Sequence, residues 1–142
     1  MNLGSEISCV LTDGSQPVSN AVGPVLEVRE AMYVLEKKAH PSTLVEKTVG
    51  IAGALLELSG KSNKADEDLL GSGKSLAEFR EIIGAQRGDA TISADAIPVG
   101  KFTAPVQAPE KGYTCSINSI IIVGIARASG APERSGRRNH HS

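Results

Sequence analysis

A chain of 142 residues, 40% of them hydrophobic, is long enough to bury one core. Its 15 basic and 16 acidic residues give a net charge of -1, which leaves no broad cationic face for a phosphate backbone, so nucleic-acid binding is not expected. No uninterrupted apolar run reaches the roughly 18 residues of a spanning helix, and no basic segment followed by an apolar core opens the chain; no membrane role and a cytoplasmic location are expected.

Residues 7–11 form a short apolar run that stops at the turn formers Asp13, Gly14 and Ser15, the pattern of one strand running into a loop. Val25, Val28, Met32 and Leu35 then recur at helical spacing, which predicts an amphipathic helix over 20–37 with Pro24 near its start. His40-Pro41 ends it. Thr43-Leu-Val-Glu46 has the form of a capping box and opens a second helix with the stripe Leu44, Thr48, Ile51, Leu55 and Leu58. Gly60 suits a left-handed cap at its end, and the small residues 52–54 lead us to expect packing on more than one side.

A third helical region is predicted over 64–85, carrying Leu69, Leu70, Leu76, Phe79, Ile82 and Ile83, with a break at Gly71-Ser-Gly73 and a restart at the capping-box pattern Ser75-Leu-Ala-Glu78. Beyond Gly88, Pro98, Pro105 and Pro109 disfavour helix; 89–101 reads as a linker, 102–106 and 113–117 as strands, and 119–128 as a helix. Residues 134–142 read as a polar, disordered tail whose Arg134, Arg137 and Arg138 are solvated. No internal repeat is evident.

Cys9 and Cys115 lack the spacing of a metal or redox site and are expected to be buried thiols. With 3% aromatic residues and no Trp, base stacking on aromatic platforms is not expected. Three motif matches carry no function. Gly73-Lys74-Ser75 ends like a phosphate-binding P-loop, but Asp68 stands where the first glycine belongs. Arg87-Gly-Asp89 reads as a turn. The run 106–112 resembles biotinyl and lipoyl carrier domains without a lysine suitably flanked for modification. His40 precedes a proline, and His140 and His141 lie in the tail, so no histidine is placed as a catalytic acid.

The segment Leu11-Thr-Asp-Gly-Ser-Gln-Pro-Val-Ser-Asn-Ala-Val-Gly-Pro-Val-Leu-Glu-Val-Arg-Glu30 resembles the strand, loop and helix entry of the thymidine, pyrimidine-nucleoside and AMP phosphorylases. Gly73-Lys-Ser-Leu-Ala-Glu-Phe-Arg-Glu-Ile-Ile-Gly-Ala-Gln-Arg-Gly88 resembles a further helix of that family, and Ala108-Pro-Glu-Lys-Gly-Tyr-Thr-Cys-Ser-Ile117 the opening strands of its C-terminal domain. Ile125-Ala-Arg-Ala-Ser-Gly-Ala-Pro132 looks most like the AMP phosphorylase branch. The resemblance spans roughly 3–133.

It implies a mixed α/β fragment: over 1–88, one strand and a helical cluster from a central α/β domain, and over 102–133 the start of a small, incomplete α+β C-terminal domain. The implied activity is that of a phosphorolytic glycosyltransferase, a pentosyltransferase of nucleotide metabolism, with AMP and phosphate as the favoured substrates and adenine and ribose 1,5-bisphosphate as products. The family segments that bind phosphate and the base do not occur here, so no catalytic and no substrate-binding residue is assigned, and the isolated chain is expected to be inactive. No cofactor is required; phosphate is the co-substrate of the complete enzyme. The resemblance also implies a potassium ion held by the backbone carbonyls of Val18 and Ala21 and the carboxylate of Glu30. The expected partners are a complementing fragment or further copies of the chain. The alternatives are a fragment of a thymidine or pyrimidine-nucleoside phosphorylase and a non-catalytic interaction module.

Overall fold

The computed structural model describes residues 4, 7–61 and 70–131, and within them the regular structure is helical. Helix α1 spans Pro24–Leu35, α2 Ser42–Leu58, α3 Lys74–Ala85 and α4 Ser119–Ala128, with one 3-10 turn at Ala94–Ala96 between α3 and α4. The expected break at Gly71–Gly73 is present: Gly73 is left-handed (φ 78°) and α3 starts at the next residue. The first part of the third predicted helix and the tail, with Arg134, Arg137, Arg138, His140 and His141, lie outside the described residues.

The four helices named above stop in the same way. A residue just past the end turns left-handed, and two N–H groups fold back onto the last carbonyls, as in a Schellman motif. At α2, Gly60 (φ 72°) donates to the Glu57 carbonyl and Lys61 to that of Leu56, both at 2.9 Å. Gly130 plays this part at α4. Lys37 (φ 60°) and Arg87 (φ 66°) play it at α1 and α3 without glycine's freedom, so α1 ends before His40-Pro41 is reached. Arg87-Gly-Asp89 is thus a helix-terminating turn.

Helix starts differ from expectation. Neither capping box forms: α2 is preceded by Pro41 and α3 by Gly73, with no side-chain cap at either. Thr43 lies inside the first turn of α2, where its hydroxyl bonds to another segment. Among the described residues, α4 has a side-chain N-cap, Asn118, whose Oδ1 accepts from the N–H groups of Ile120 (3.0 Å) and Ile121 (3.1 Å).

The segments 7–11, 102–106 and 113–117 are not strands. They carry no ladder, and their apolar side chains stand in solvent, with Leu11 101%, Phe102 96% and Tyr113 98% exposed. A strand's N–H and C=O groups need a neighbour in register, and none of these runs has one among the described residues. The small α+β domain therefore does not appear as such. Cys9 and Cys115, sitting in these runs, are exposed rather than buried.

Buried apolar side chains among the described residues are Met32, Val45 and Ala94. The helical stripes contribute less than their spacing implies: Val25 and Val28 on α1, and Ile51 and Leu55 on α2, remain exposed, so α2 is not packed on several sides. Residues 94–96 do not merely link; they dock on α1. Ala94 is fully buried, and its N–H donates to Glu36 Oε1 at 3.1 Å. Lys38 Nζ bridges Glu36 Oε2 (2.9 Å) and Asp95 Oδ2 (2.6 Å), while Tyr33 donates its hydroxyl to Asp95 Oδ1 at 2.8 Å. The Arg29 guanidinium lies 5.4 Å from the Tyr33 ring centre.

This clasp sets a pH dependence. The Lys38 ammonium, then the Tyr33 hydroxyl, hold Asp95 below its ordinary 3.8; Lys38, then the Ala94 N–H, hold Glu36 below its ordinary 4.5 against the opposing effect of desolvation. Both carboxylates are depressed on folding, so their contribution is complete above those ordinary values and is lost as the pH falls through the lower folded ones. Thermal melts between about pH 6 and about pH 3 are expected to show a falling midpoint. The fall should be smaller in Lys38→Met, and an equal fall in both proteins would exclude the clasp as its source.

Candidate functional site

The loop between residue 13 and α1 has no regular structure, so its shape is imposed by tethers. At its start, Asp13 Oδ1 accepts from the Ser15 N–H at 2.8 Å, closing an Asx-turn. This bond, with Lys47 adding to it, holds the Asp13 carboxyl below the usual carboxylate range. Lys47 Nζ donates to the Asp13 carbonyl at 2.9 Å, and Thr43 Oγ1 donates to the Val18 carbonyl at 2.6 Å. Thr43 and Lys47 are four residues apart on α2, hence on one face of it, and that face runs along the loop.

From the other side α1 supplies two carboxylates. Glu30 accepts the N–H of Asn20 on Oε1 (3.1 Å) and that of Ala21 on Oε2 (3.2 Å). Glu27 Oε1 accepts the N–H of Gly23 at 2.9 Å, occupying a donor at the helix start that would otherwise lack a partner. Ser19 Oγ donates to the Ala21 carbonyl at 3.1 Å. Gly23 (φ 113°) lets the chain enter α1 while leaving room for Ala131 at the end of α4; a Cβ here would lie 3.0 Å from the Ala131 Cβ.

These contacts border an open pocket of about 330 Å³, lined by the loop from Pro17 to Val22, by Glu27 and Glu30 of α1, by Leu44 of α2 and by Ser119, Ile122 and Val123 of α4. Val18, Ala21 and Glu30 all line it, so the structure brings together the three residues expected to hold a cation. Their chemistry fits a hard cation. The donors are two carbonyls and one carboxylate, all oxygen, and each bond described above leaves lone pairs to spare. No group of three or more His, Cys, Asp or Glu side chains converges among the described residues.

The roles of Thr43, Lys47 and α4 here are not apparent from sequence. Thr43 carries a capping-box pattern, which hides its tertiary bond. The docking of α4 on a loop about a hundred positions earlier leaves no local signal. Among the described residues no helix is long and apolar enough to cross a membrane.

Over nearly its whole length the chain is homologous to a segment of a phosphorylase family. The relatives are AMP phosphorylases: that of Methanosarcina acetivorans is 42% identical over 139 residues, 94% of this chain and 28% of the relative. AMP phosphorylase 1 of Archaeoglobus fulgidus is 42% identical over 137 residues, 94% of this chain and 27% of the relative. The AMP phosphorylase of Thermococcus kodakarensis is 41% identical over 139 residues, with 94% and 28% covered. The chain thus spans little more than a quarter of the length of the curated relatives it matches. No family model matches it, and no solved structure does.

Proposed function

We propose that the chain supplies the loop, pocket and helices of a pentosyltransferase that phosphorolyses AMP to adenine and ribose 1,5-bisphosphate, and that it does not turn over substrate alone. The observation that carries this reading is the 42% identity to an AMP phosphorylase over 94% of the chain. Phosphorolysis breaks the bond between the ribose C1 and the base nitrogen while a phosphate oxygen takes its place. The transition state carries positive charge on the sugar and negative charge on phosphate and departing base, so cationic and hydrogen-bonding groups must be aimed at both. The described pocket offers carboxylates and carbonyls, which suit a cation rather than a phosphate.

In this reading Val18, Ala21 and Glu30 hold a potassium ion, which when bound supplies fixed positive charge beside the loop. The residues of this chain position it: Glu30 gathers the N–H groups of Asn20 and Ala21, Ser19 steers the Ala21 carbonyl, and α4 closes the apolar wall. A second reading, a non-catalytic interaction module, is favoured by the exposed apolar residues Leu11, Phe102, Val106 and Tyr113, which invite burial against other polypeptide.

The test is a pair of proteins: the purified chain, and a chimera in which it replaces the matching segment of the Methanosarcina acetivorans AMP phosphorylase. With AMP and phosphate, the chain is expected to release no adenine. The chimera is expected to release it within roughly tenfold of the parent rate, a difference of about 1.4 kcal/mol in barrier. Adenine release by the chain alone would refute the inactive-segment reading; a folded but dead chimera would favour the interaction module.

A further inference from the structure

We propose that Thr43 is a positioning residue of the cation site, aiming the Val18 carbonyl into the pocket from outside the ligand set. The inference rests on the potassium reading above. Of the three expected ligand groups, Ala21 and Glu30 are held by bonds within the loop or from the loop to α1. Val18 is held instead from α2, through the 2.6 Å bond from the Thr43 hydroxyl. A peptide carbonyl has two lone pairs; the one engaged by Thr43 fixes the plane of the peptide and leaves the other for a cation. The loop has no ladder or helix to set that plane, so removing the hydroxyl frees the Val18 carbonyl to rotate.

Thr43 also sits where such a bond costs α2 nothing. It lies in the first turn, its side chain is exposed, and no hydroxyl cap is in use at this terminus. Lys47, one turn further on, holds the Asp13 end of the same loop, so α2 fixes both the start of the loop and the ligand residue within it. Groups that orient a metal ligand from behind typically contribute about 10- to 100-fold in affinity when removed.

The experiment measures potassium binding in the chain and in the chimera, from the rise of the thermal midpoint when choline chloride is exchanged for potassium chloride at constant ionic strength. The variants are Thr43→Val, which removes the donor, and Thr43→Ser, which keeps it. Expected is an apparent potassium Kd raised about tenfold or more in Thr43→Val and returned to the wild-type value in Thr43→Ser. Thr43→Ala removes the same donor with less bulk and decides the matter should the valine variant not fold. A wild-type protein that responds to potassium, with Thr43→Val and Thr43→Ala responding equally, overturns the role of Thr43 and leaves the cation site standing. No potassium response in either the chain or the chimera removes the site itself, and this proposal with it.

Discussion

Met32→Ala is expected to cost about 2–5 kcal/mol, a large share of the chain's stability. Met32 is 1% exposed and is the largest fully buried side chain among the described residues. It lies on α1, against which the 3-10 turn with its fully buried Ala94 docks. Truncating a buried methionine to alanine removes its transfer free energy and leaves a void, at about 2–5 kcal/mol. A typical domain holds only about 5–15 kcal/mol in total, and a core described by Met32, Val45 and Ala94 places this chain toward the lower end. Urea unfolding followed by circular dichroism at 222 nm measures the loss. Phe102→Ala is the control: at 96% exposure it should change stability by no more than about 0.5 kcal/mol. If Phe102→Ala costs more than Met32→Ala, the extended segments are buried in solution and the helical cluster is not the centre of stability.

What could be read from sequence divides along physical lines. Local signals held: α4 matches its expected span, the break at Gly71–Gly73 and the left-handed Gly60 are where their residue types place them, and Pro24 opens α1. These depend on backbone freedom and missing donors, which a residue carries with it. Signals that need a partner failed. Strands at 7–11, 102–106 and 113–117 require a neighbour to pair with, and the stripes of α1 and α2 require a surface to cover them. Thr43 had two available uses, a cap or a tertiary bond, and local pattern cannot choose between them. The expected ligand set was legible only through the family resemblance. Nothing in the spacing of Val18, Ala21 and Glu30 announces that a loop and a helix fold them into one pocket.

Gly23→Ala is expected to have the second-largest effect, because the position fails alanine twice. Its backbone, at φ 113° and ψ 141°, lies in a region that essentially only glycine occupies. Holding alanine there costs about 1–3 kcal/mol. The new Cβ would also stand 3.0 Å from the Ala131 Cβ, tighter than ordinary van der Waals contact, so the end of α4 must retreat. Ser119, Ile122 and Val123 form the α4 wall of the pocket and would move with it. The Gly23 N–H also donates to Glu27 and its carbonyl accepts the first helical bond of α1, each at 2.9 Å, so relaxation of the backbone would disturb the helix start. Gly50, inside α2, has open space around it, and Gly50→Ala should instead stabilise by about 0.5–1 kcal/mol through helix propensity. Midpoints of urea unfolding for the two variants should therefore shift in opposite directions. A destabilising shift confined to Gly23→Ala, accompanied in the chimera by weaker potassium binding, would tie the approach of Ala131 to Gly23 to the shape of the loop at 17–22. Equal and small shifts would mean that Ala131 does not press on Gly23 in solution, and that the pocket lacks its α4 wall.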